Sequence, residues 1–313
     1  MTPVIETAHL TRHFETTRAV EGLSLSVSRG EIFGMLGHNG AGKTTTIRLL
    51  NGLLDPTAGT VRVLGLDPTL EGPQVRRRTG VLTETPSLDE RLSAWDNLAF
   101  SGAIYGMAPR ELPGRVDQLL ETFGLAERSQ DRVATYSKGM KQRLALARAL
   151  LHEPDLIFLD EPAAGLDPVA TRQLHDLILR LSREEGRSVF LCTHNLAEAQ
   201  RLCNRVAVLQ QGRLLALGTP SELAYRVVSS VQLRIEVEPV DVSQAARVLE
   251  NAGAHGLQME VAALVADGVP RNQIPALVDA MVSAGVRIYR LDYAEPSLED
   301  VYFALHAPHE NGS

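Results

Sequence analysis

The chain has 313 residues, of which 44% are hydrophobic, and its formal net charge at pH 7 is -7. This length and hydrophobic content favour a substantial core divided between two domains. The acidic balance argues against a broad nucleic-acid surface and against binding to an anionic membrane surface.

The two cysteines, Cys192 and Cys203, are too few for a disulfide framework, and we expect both to be buried thiols. The N-terminus lacks the basic and apolar pattern of a secretion signal, and no uncharged apolar run reaches the roughly 18 residues of a membrane span. We therefore expect a soluble, cytoplasmic protein. If it works at a membrane, another chain must cross that membrane.

A glycine-rich loop follows an N-terminal β-rich region (residues 5–27) and the apolar strand predicted at residues 32–36. The loop reads Gly37, His38, Asn39, Gly40, Ala41, Gly42, Lys43, Thr44 and Thr45. It matches G-x-x-x-x-G-K-S/T, in which backbone amides and the next helix N-terminus surround phosphate oxygens. Lys43 would reach the β- and γ-phosphates, and the Thr44 hydroxyl would bind Mg²⁺. The strand, loop and helix order predicts that the chain binds a nucleoside triphosphate.

The next part of the chain changes from strand to helix. Turn residues at 55–59 lead into a short strand at 60–64, and from about residue 88 to 150 the pattern is helical. Within it, Val116, Leu119, Leu120 and Phe123 recur at the spacing of one helix face. We predict a helical subdomain inserted into the β-rich core.

From Pro154 onward, continuous apolar strands at 156–159, 188–192 and 205–209 alternate with helices, which predicts a parallel sheet covered on both faces. Asp160 and Glu161 follow the first of these strands, at the sheet edge where ligands bind in such folds. As in a Walker B strand, Asp160 would hold Mg²⁺ and Glu161 would polarise the attacking water.

After about residue 225 the sequence changes character again. Residues 231–237 alternate strictly, residues 244–252 and 274–284 are amphipathic, and 286–288 follow as a strand. This order predicts a small α+β unit with split βαβ topology. We expect an ATPase-type domain at residues 1–225 and an accessory domain at 226–313 that ends in a short flexible tail and has no catalytic cluster.

The segment from Tyr136 to Leu150 places a Ser-x-Gly turn before a strongly predicted helix, and here the chain resembles the ABC ATPases. Ser137 and Gly139 match the family's Leu-Ser-Gly-Gly-Gln motif, whereas Tyr136, Lys138 and Met140 depart from it. In the family this helix N-terminus closes on the γ-phosphate that is bound to the opposite subunit. The resemblance implies that role for Ser137, Lys138 and Gly139, with Lys138 adding positive charge.

The resemblance assigns four further positions. His194 matches the switch histidine that positions Glu161 and senses the γ-phosphate, although strand-end histidines are often structural. Residues 164–167, which end at Asp167, match the D-loop that crosses the dimer interface in the family. Phe14 is similar to the aromatic residue that stacks on adenine, with a core aromatic as the alternative. Glu84 stands where the family has the Q-loop glutamine, so it would bring a charge to the Mg²⁺ site. The imidazole of His38 is assigned no role of its own.

The implied fold is α/β: a P-loop NTPase core with a parallel sheet, an N-terminal antiparallel β layer and the helical subdomain. Three segments look like those of bacterial multidrug or ABC-2-type exporter ATPases, including the antibiotic self-resistance group. They are the segments around Glu84 and Ser137 and the tail 295–302. The implied protein binds ATP and Mg²⁺ as a homodimer or beside a related ATPase. It would drive a separate multi-span permease, docked near residues 85–110, from the cytoplasmic face of the membrane.

The rival hypothesis is a soluble ABC ATPase that acts on nucleic acid or ribosomes. The single phosphate loop, the lack of sustained heptads and the acidic balance disfavour it, and we expect no nucleic-acid partner. A P-loop kinase would leave Ser137, Asp167 and His194 unexplained.

Overall fold

The computed structural model describes residues 3–227, 232–294 and 297–306. The chain divides into two compact units, residues 1–219 and residues 220–313, which are called here the core unit and the accessory unit. The short tail expected at the end of the chain lies outside the described residues. None of the helices in the described part is long and apolar enough to cross a membrane.

The part of the core unit that the structure describes forms two sheets. Its strands are β1 (Ile5–Phe14), β2 (Thr17–Val27), β3 (Ile32–Leu36), β4 (Ala58–Val63), β5 (Thr79–Leu82), β6 (Leu156–Asp160), β7 (Ser188–Thr193), β8 (Arg205–Gln210) and β9 (Arg213–Gly218). The larger sheet has the order β5-β6-β7-β3-β8-β9. All its neighbouring strands are parallel except β8 and β9. Every residue of β3, β6 and β7 is buried, as the continuous apolar runs predicted.

The N-terminal layer is an antiparallel sheet with the order β2-β1-β4. The layer includes β2 as one continuous strand from Thr17 to Val27. Its side chains meet the larger sheet in one shared core, where Ile5, Val20, Phe158 and Phe190 are fully buried. The predicted α/β fold with an antiparallel N-terminal layer is confirmed.

The described residues of the core unit also form seven α-helices: α1 (Lys43–Leu50), α2 (Pro68–Arg77), α3 (Ala94–Ile104), α4 (Leu112–Thr122), α5 (Lys138–Leu150), α6 (Pro168–Arg183) and α7 (Leu196–Leu202). The predicted helical region contains α3, α4 and α5, and the apolar face of α4 is buried at Val116, Leu119 and Leu120. Helix α6 begins at Pro168, because Asp167 caps it and proline suits the first helical position.

The accessory unit consists of α8 (Pro220–Val227), β10 (Gln232–Val237), α9 (Val242–Asn251), β11 (His255–Met259), β12 (Ala263–Asp267), α10 (Ile274–Ser283), β13 (Ile288–Ala294) and α11 (Leu298–His306). Its antiparallel sheet has the order β11-β12-β10-β13, which is the expected split βαβ arrangement. The strand expected at Val286 begins only at Ile288, because the Val286 amide closes the end of α10 on the Met281 carbonyl.

Candidate nucleotide site

The glycine-rich loop leaves β3 and enters α1, and at two of its positions only glycine fits. Gly42 has φ 109°, and a Cβ atom there would lie 2.4 Å from the Ala19 carbonyl oxygen. At Gly37 a Cβ atom would lie 2.7 Å from the Leu209 carbonyl oxygen. The loop therefore presses against β2 and β8, and this packing holds its amides in place at the start of α1.

The Lys43 side chain lies inside this loop and is 6% exposed. Its Nζ atom donates to the Gly37 carbonyl oxygen at 2.6 Å and lies 3.6 Å from Glu161 Oε1. A buried ammonium group needs oxygen partners, and here a carbonyl and a carboxylate provide them. The same position can offer the ammonium group to a phosphate that enters the loop.

Asp160 ends β6 and is 3% exposed. Its Oδ2 atom accepts a hydrogen bond of 2.7 Å from the Thr44 hydroxyl at the start of α1. Burial raises the pKa of the Asp160 carboxyl above its ordinary value, while the Thr44 hydrogen bond and the charge of Lys43 oppose this rise. The charges of Glu161 and Glu84 add to it. A cation bound beside Asp160 would therefore offset the free-energy cost of burying its carboxylate.

Glu161 adopts a left-handed backbone conformation with φ 50°, and its amide donates to the Cys192 carbonyl oxygen on the neighbouring β7. The turn separates its side chain from that of Asp160 and directs it toward the end of β7. There, Glu161 Oε1 lies 2.8 Å from His194 Nδ1, and the Thr193 hydroxyl lies 3.5 Å from Oε2. The parallel pairing of β6 and β7 therefore joins two residues that are far apart in sequence.

These groups line one open cleft of about 440 Å³, which we call the nucleotide cleft. It is lined by Phe14, Thr17, Ala19, His38, Asn39, Gly40, Gly42, Lys43, Thr44, Thr45, Glu84, Asp160 and Glu161. The loop residues Gly37 and Ala41 are not among the lining residues; both are buried, and Ala41 is fully buried. The His38 ring lies 2.6 Å from the Asn39 carbonyl oxygen. The phosphate loop, both carboxylates that follow β6 and the residue expected to stack on the base thus share one cleft.

Phe14 is 38% exposed at one end of the nucleotide cleft. The guanidinium group of Arg12 lies 4.6 Å from the centre of its ring and donates to the Asp55 carbonyl oxygen. Sequence reasoning missed Arg12. The signal was present, since residues two apart on a strand point to the same side. The cation stacks on the ring and helps to hold it at the cleft.

The Ser-x-Gly turn lies outside the nucleotide cleft of its own chain. Ser137 caps α5 and accepts a hydrogen bond from the Met140 amide at 3.3 Å. The Lys138 side chain passes over Gly165, so closely that a Cβ atom at Gly165 would lie 2.6 Å from its Cε. Asp167 caps α6 by accepting from the amides of Val169 and Ala170, each at 2.9 Å. The starts of α5 and α6 are therefore adjacent, and neither Ser137 nor Asp167 is among the residues that line the nucleotide cleft.

A family model described as ABC transporter matches residues 20–164. An uncharacterized ABC transporter ATP-binding protein of Bacillus subtilis, YhcH, is 34% identical over 310 residues, which cover 97% of this chain and 96% of YhcH. The daunorubicin/doxorubicin resistance ATP-binding protein DrrA of Streptomyces peucetius is 37% identical, covering 97% of this chain and 92% of DrrA. The chain belongs to the ABC transporter ATP-binding proteins.

Solved structures agree with this assignment. A structure described as an ATP-binding subunit of an ABC transporter is 34% identical and has a TM-score of 0.66, with 71% of this chain and 92% of that chain covered. The protein is therefore an ABC ATPase that binds and hydrolyses nucleotide. ATP-binding proteins of this family dimerise and work with a separate membrane permease. The kinase hypothesis is excluded.

A second residue that sequence reasoning did not single out connects the parts of this ABC ATPase. Gln142, on the buried face of α5, is 2% exposed, and its amide donates to the Pro162 carbonyl oxygen at 3.0 Å. Pro162 directly follows Glu161. The helix that begins at Ser137 is thereby attached to the turn that carries the Glu161 carboxylate. A polar residue on an otherwise apolar helix face was the available signal.

Proposed function

We propose that this ABC ATPase is the motor subunit of a bacterial exporter of drugs or antibiotics. It would drive a separate multi-span permease of the ABC-2 type from the cytoplasmic face of the cell membrane. The full-length likeness to a protein named for daunorubicin and doxorubicin resistance supports the exported class. The acidic charge of the chain supports a protein partner rather than nucleic acid.

The observation that carries the chemistry is the position of Glu161 between His194 and Lys43. We assign Glu161 as the base that polarises the attacking water, because its carboxylate lies at the cleft with a histidine at hydrogen-bond distance. His194 would hold that carboxylate and contact the γ-phosphate. Lys43 and the loop amides would bind phosphates, and Phe14 would stack on the adenine.

The residues around Asp160 fit a magnesium ion. The Thr44 hydroxyl and the carboxylates of Asp160 and Glu84 offer the oxygen donors that Mg²⁺ prefers. When bound, Mg²⁺ would neutralise phosphate charge. In the described part of the chain, no group of three or more His, Cys, Asp or Glu side chains could hold a metal ion. The proposed site therefore depends on nucleotide phosphates and water for its remaining ligands, as Mg²⁺ sites commonly do.

Glu84 allows a direct test of this assignment. Glu84→Gln should retain nucleotide binding, because the loop amides and Lys43 are untouched, but it should change the dependence of ATPase activity on Mg²⁺ and the coupling to transport. Titration with a fluorescent ATP analogue would measure nucleotide binding. ATPase assays in which Mg²⁺ is titrated would measure the dependence on Mg²⁺. Complete loss of ATP binding would refute the placement of Glu84 at the metal.

The dimer is proposed from the position of the Ser-x-Gly turn. Ser137, Lys138 and Gly139 do not line the cleft of their own chain. We infer that they contact the γ-phosphate bound to a second copy, or to a related ATPase, in a head-to-tail sandwich. Glu161→Gln should trap this sandwich, since it removes the base but leaves the phosphate contacts. Light scattering with saturating ATP and Mg²⁺ would detect the dimer, and a monomer would contradict the sandwich.

The permease is proposed to dock at residues 85–110. This region contains α3, on which Phe100 and Ile104 are 63% and 68% exposed. It is also connected to the ATPase machinery, because Glu90 forms an ion pair with Lys141 on α5. Charge reversal at Asp89 or Glu90 should therefore change transport-coupled ATPase activity. Unchanged coupling would argue for a different docking surface.

The exporter role is tested by purifying the chain from detergent-solubilised native membranes. A multi-span protein present in stoichiometric amount would support the proposal and identify the chain that determines the substrate. If no such protein is present and the ATPase activity remains in the soluble fraction, the rival hypothesis of a nucleic-acid or ribosome ATPase would be favoured.

A further inference from the structure

A buried pair of ionisable side chains lies outside the nucleotide cleft. His175 Nε2 donates to Glu198 Oε1 at 3.1 Å, and their side chains are only 9% and 2% exposed. Neither residue lines the cleft. A buried carboxylate is costly unless it is paired, so the hydrogen bond from His175 strongly favours one relative placement of the two side chains.

The two helices that carry this pair begin at the two parts of the site that sense phosphate. His175 belongs to α6, which starts at Asp167. Glu198 belongs to the first turn of α7, where its amide donates to the capping side chain of Asn195 at 3.1 Å. His194 comes directly before that cap. The pair thus connects the helix that begins at the D-loop with the helix that begins at the switch histidine.

Helix α7 depends on such contacts for its position. It has only seven residues, and a helix of this length is marginal without tertiary packing. Its buried residues are Glu198, Ala199 and Leu202, and it packs against β3 and β7. Apolar contacts allow small rotations, whereas a buried hydrogen bond is directional. A rotation of α7 would move the backbone of His194 relative to Glu161.

We propose that His175 and Glu198 are positioning residues, which hold α7 so that His194 stays at hydrogen-bond distance from Glu161 and which transmit movement of the D-loop to that contact. The inference rests on the proposed function, since it uses the assigned roles of His194 and Asp167. Because both residues act through His194 and make no contact with nucleotide, they should affect turnover rather than nucleotide affinity.

The main test is Glu198→Ala. We expect kcat to fall about tenfold or more, because small misplacements of a reacting group have effects of this size, while KM for ATP stays within about twofold. Glu198→Gln should restore most of kcat, since the amide oxygen can still accept the hydrogen bond from His175. A kcat equal to wild type in folded Glu198→Ala would overturn the proposal. So would an equally low kcat in both variants.

The matched control is Glu31→Ala. Glu31 is also buried and paired, with Arg205 at 3.4 Å, but it lies at the opposite end of the same sheet, directly before β3. Its removal should lower the free energy of unfolding without the specific loss of kcat. If Glu31→Ala lowers kcat as much as Glu198→Ala does, the effect is general destabilisation and the proposal fails.

Should Glu198→Ala fail to fold, the double variant His175→Leu with Glu198→Met provides the test. Replacing a buried charged pair by apolar groups of similar size often preserves stability. A folded double variant with kcat reduced about tenfold or more supports the hydrogen bond as the positioning element. Wild-type kcat in this variant would show that packing alone is sufficient, which overturns the proposal.

Transmission from the D-loop is tested by combining Glu198→Ala with Asp167→Ala. If both act through the same contact, the double variant should have a kcat within about twofold of the more severe single variant. Multiplicative losses would refute the transmission.

Glu161→Gln is assayed in parallel for its ATP-dependent dimer. Failure of that dimer would count against the proposed function, whereas an intact dimer with normal Glu198 variants would refute only the positioning role.

Discussion

The nucleotide cleft and the accessory unit use charged residues in opposite ways. In the cleft, Lys43, Asp160 and Glu161 are 6%, 3% and 9% exposed, and they converge on one another at the ends of β3 and β6. In the accessory unit, Arg234 pairs with Glu260 at 2.7 Å, but these side chains are 41% and 49% exposed.

This difference distinguishes charged residues that bind a ligand from charged residues that only face the solvent. Burying unpaired or crowded charges costs free energy, so a fold that retains them at one sheet edge does so where a ligand compensates the cost. Exposed pairs such as Arg234 and Glu260 contribute little to stability, because water screens the attraction between the two charges. The exposed charged pairs of the accessory unit are thus typical of an ordinary protein surface. The buried, converging charges of the cleft are typical of a ligand-binding site.

The largest contrast should come from replacing a carboxylate by an amide in each region. Glu161→Gln removes the proposed base and should lower kcat by roughly 10²- to 10⁴-fold. Glu260→Gln makes the same chemical change on the accessory surface and should leave kcat unchanged. Steady-state phosphate release at saturating ATP measures both. Equal effects would mean that Glu161 has no special role.

Core truncations should separate stability from activity. Leu159 and Leu249 are 2% and 0% exposed, and replacing either by Ala should cost about 2–5 kcal/mol of unfolding free energy. Leu159 directly precedes Asp160, so Leu159→Ala should also lower kcat. Leu249→Ala lies in α9 and should destabilise the accessory unit with little change in kcat. Urea denaturation measures the stability of each variant, and ATPase assays on the same samples measure its kcat. A large kcat loss in Leu249→Ala would contradict the expected separation of stability from activity.

Exposed aromatic residues offer a smaller contrast. Phe14→Ala should raise KM for ATP about two- to tenfold with kcat unchanged, since an aromatic stack contributes about 0.5–1.5 kcal/mol. Phe14→Tyr should restore KM because it preserves the ring face. Tyr289 is 67% exposed in the accessory unit, and Tyr289→Ala should have no effect on KM. An unchanged KM in Phe14→Ala would show that Phe14 does not stack on the base.

The smallest effect concerns stability against pH, measured without nucleotide and with a chelator. Burial raises the pKa of Asp160, so its contribution to the free energy of unfolding falls as the pH rises through that raised pKa. The hydrogen bond from Arg287 lowers the pKa of Asp241, so its contribution is present above the ordinary Asp pKa and is lost as the pH falls.

At neutral pH, Asp160→Asn should therefore raise Tm, because it removes the charge whose burial is costly. Asp241→Asn should lower Tm slightly. Thermal melts from acid to neutral pH would show whether the two variants deviate from wild type in opposite directions. If both variants shift Tm in the same direction, the opposite pKa effects of Asp160 and Asp241 do not account for the stability of the two regions.

Much of the fold was predictable because its signals are local. The continuous apolar runs of β6 and β7, the glycine-rich loop and the periodicity of α4 each predict an element without reference to the rest of the chain. Strand β11 was missed because most of its side chains are exposed and it lacks alternation. Helix α2 was missed because it contains Pro73 and a non-helical Glu71.

The sequence by itself determined which chemical groups the site contains: a phosphate loop, two carboxylates after a buried strand and a histidine after another. Only the tertiary structure decided which of them meet. His194 reaches Glu161 because β6 and β7 are neighbours, and Arg12 and Gln142 gain their roles from contacts across the fold. Strand order depends on long-range pairing and shared burial, and local propensity contains no information about either.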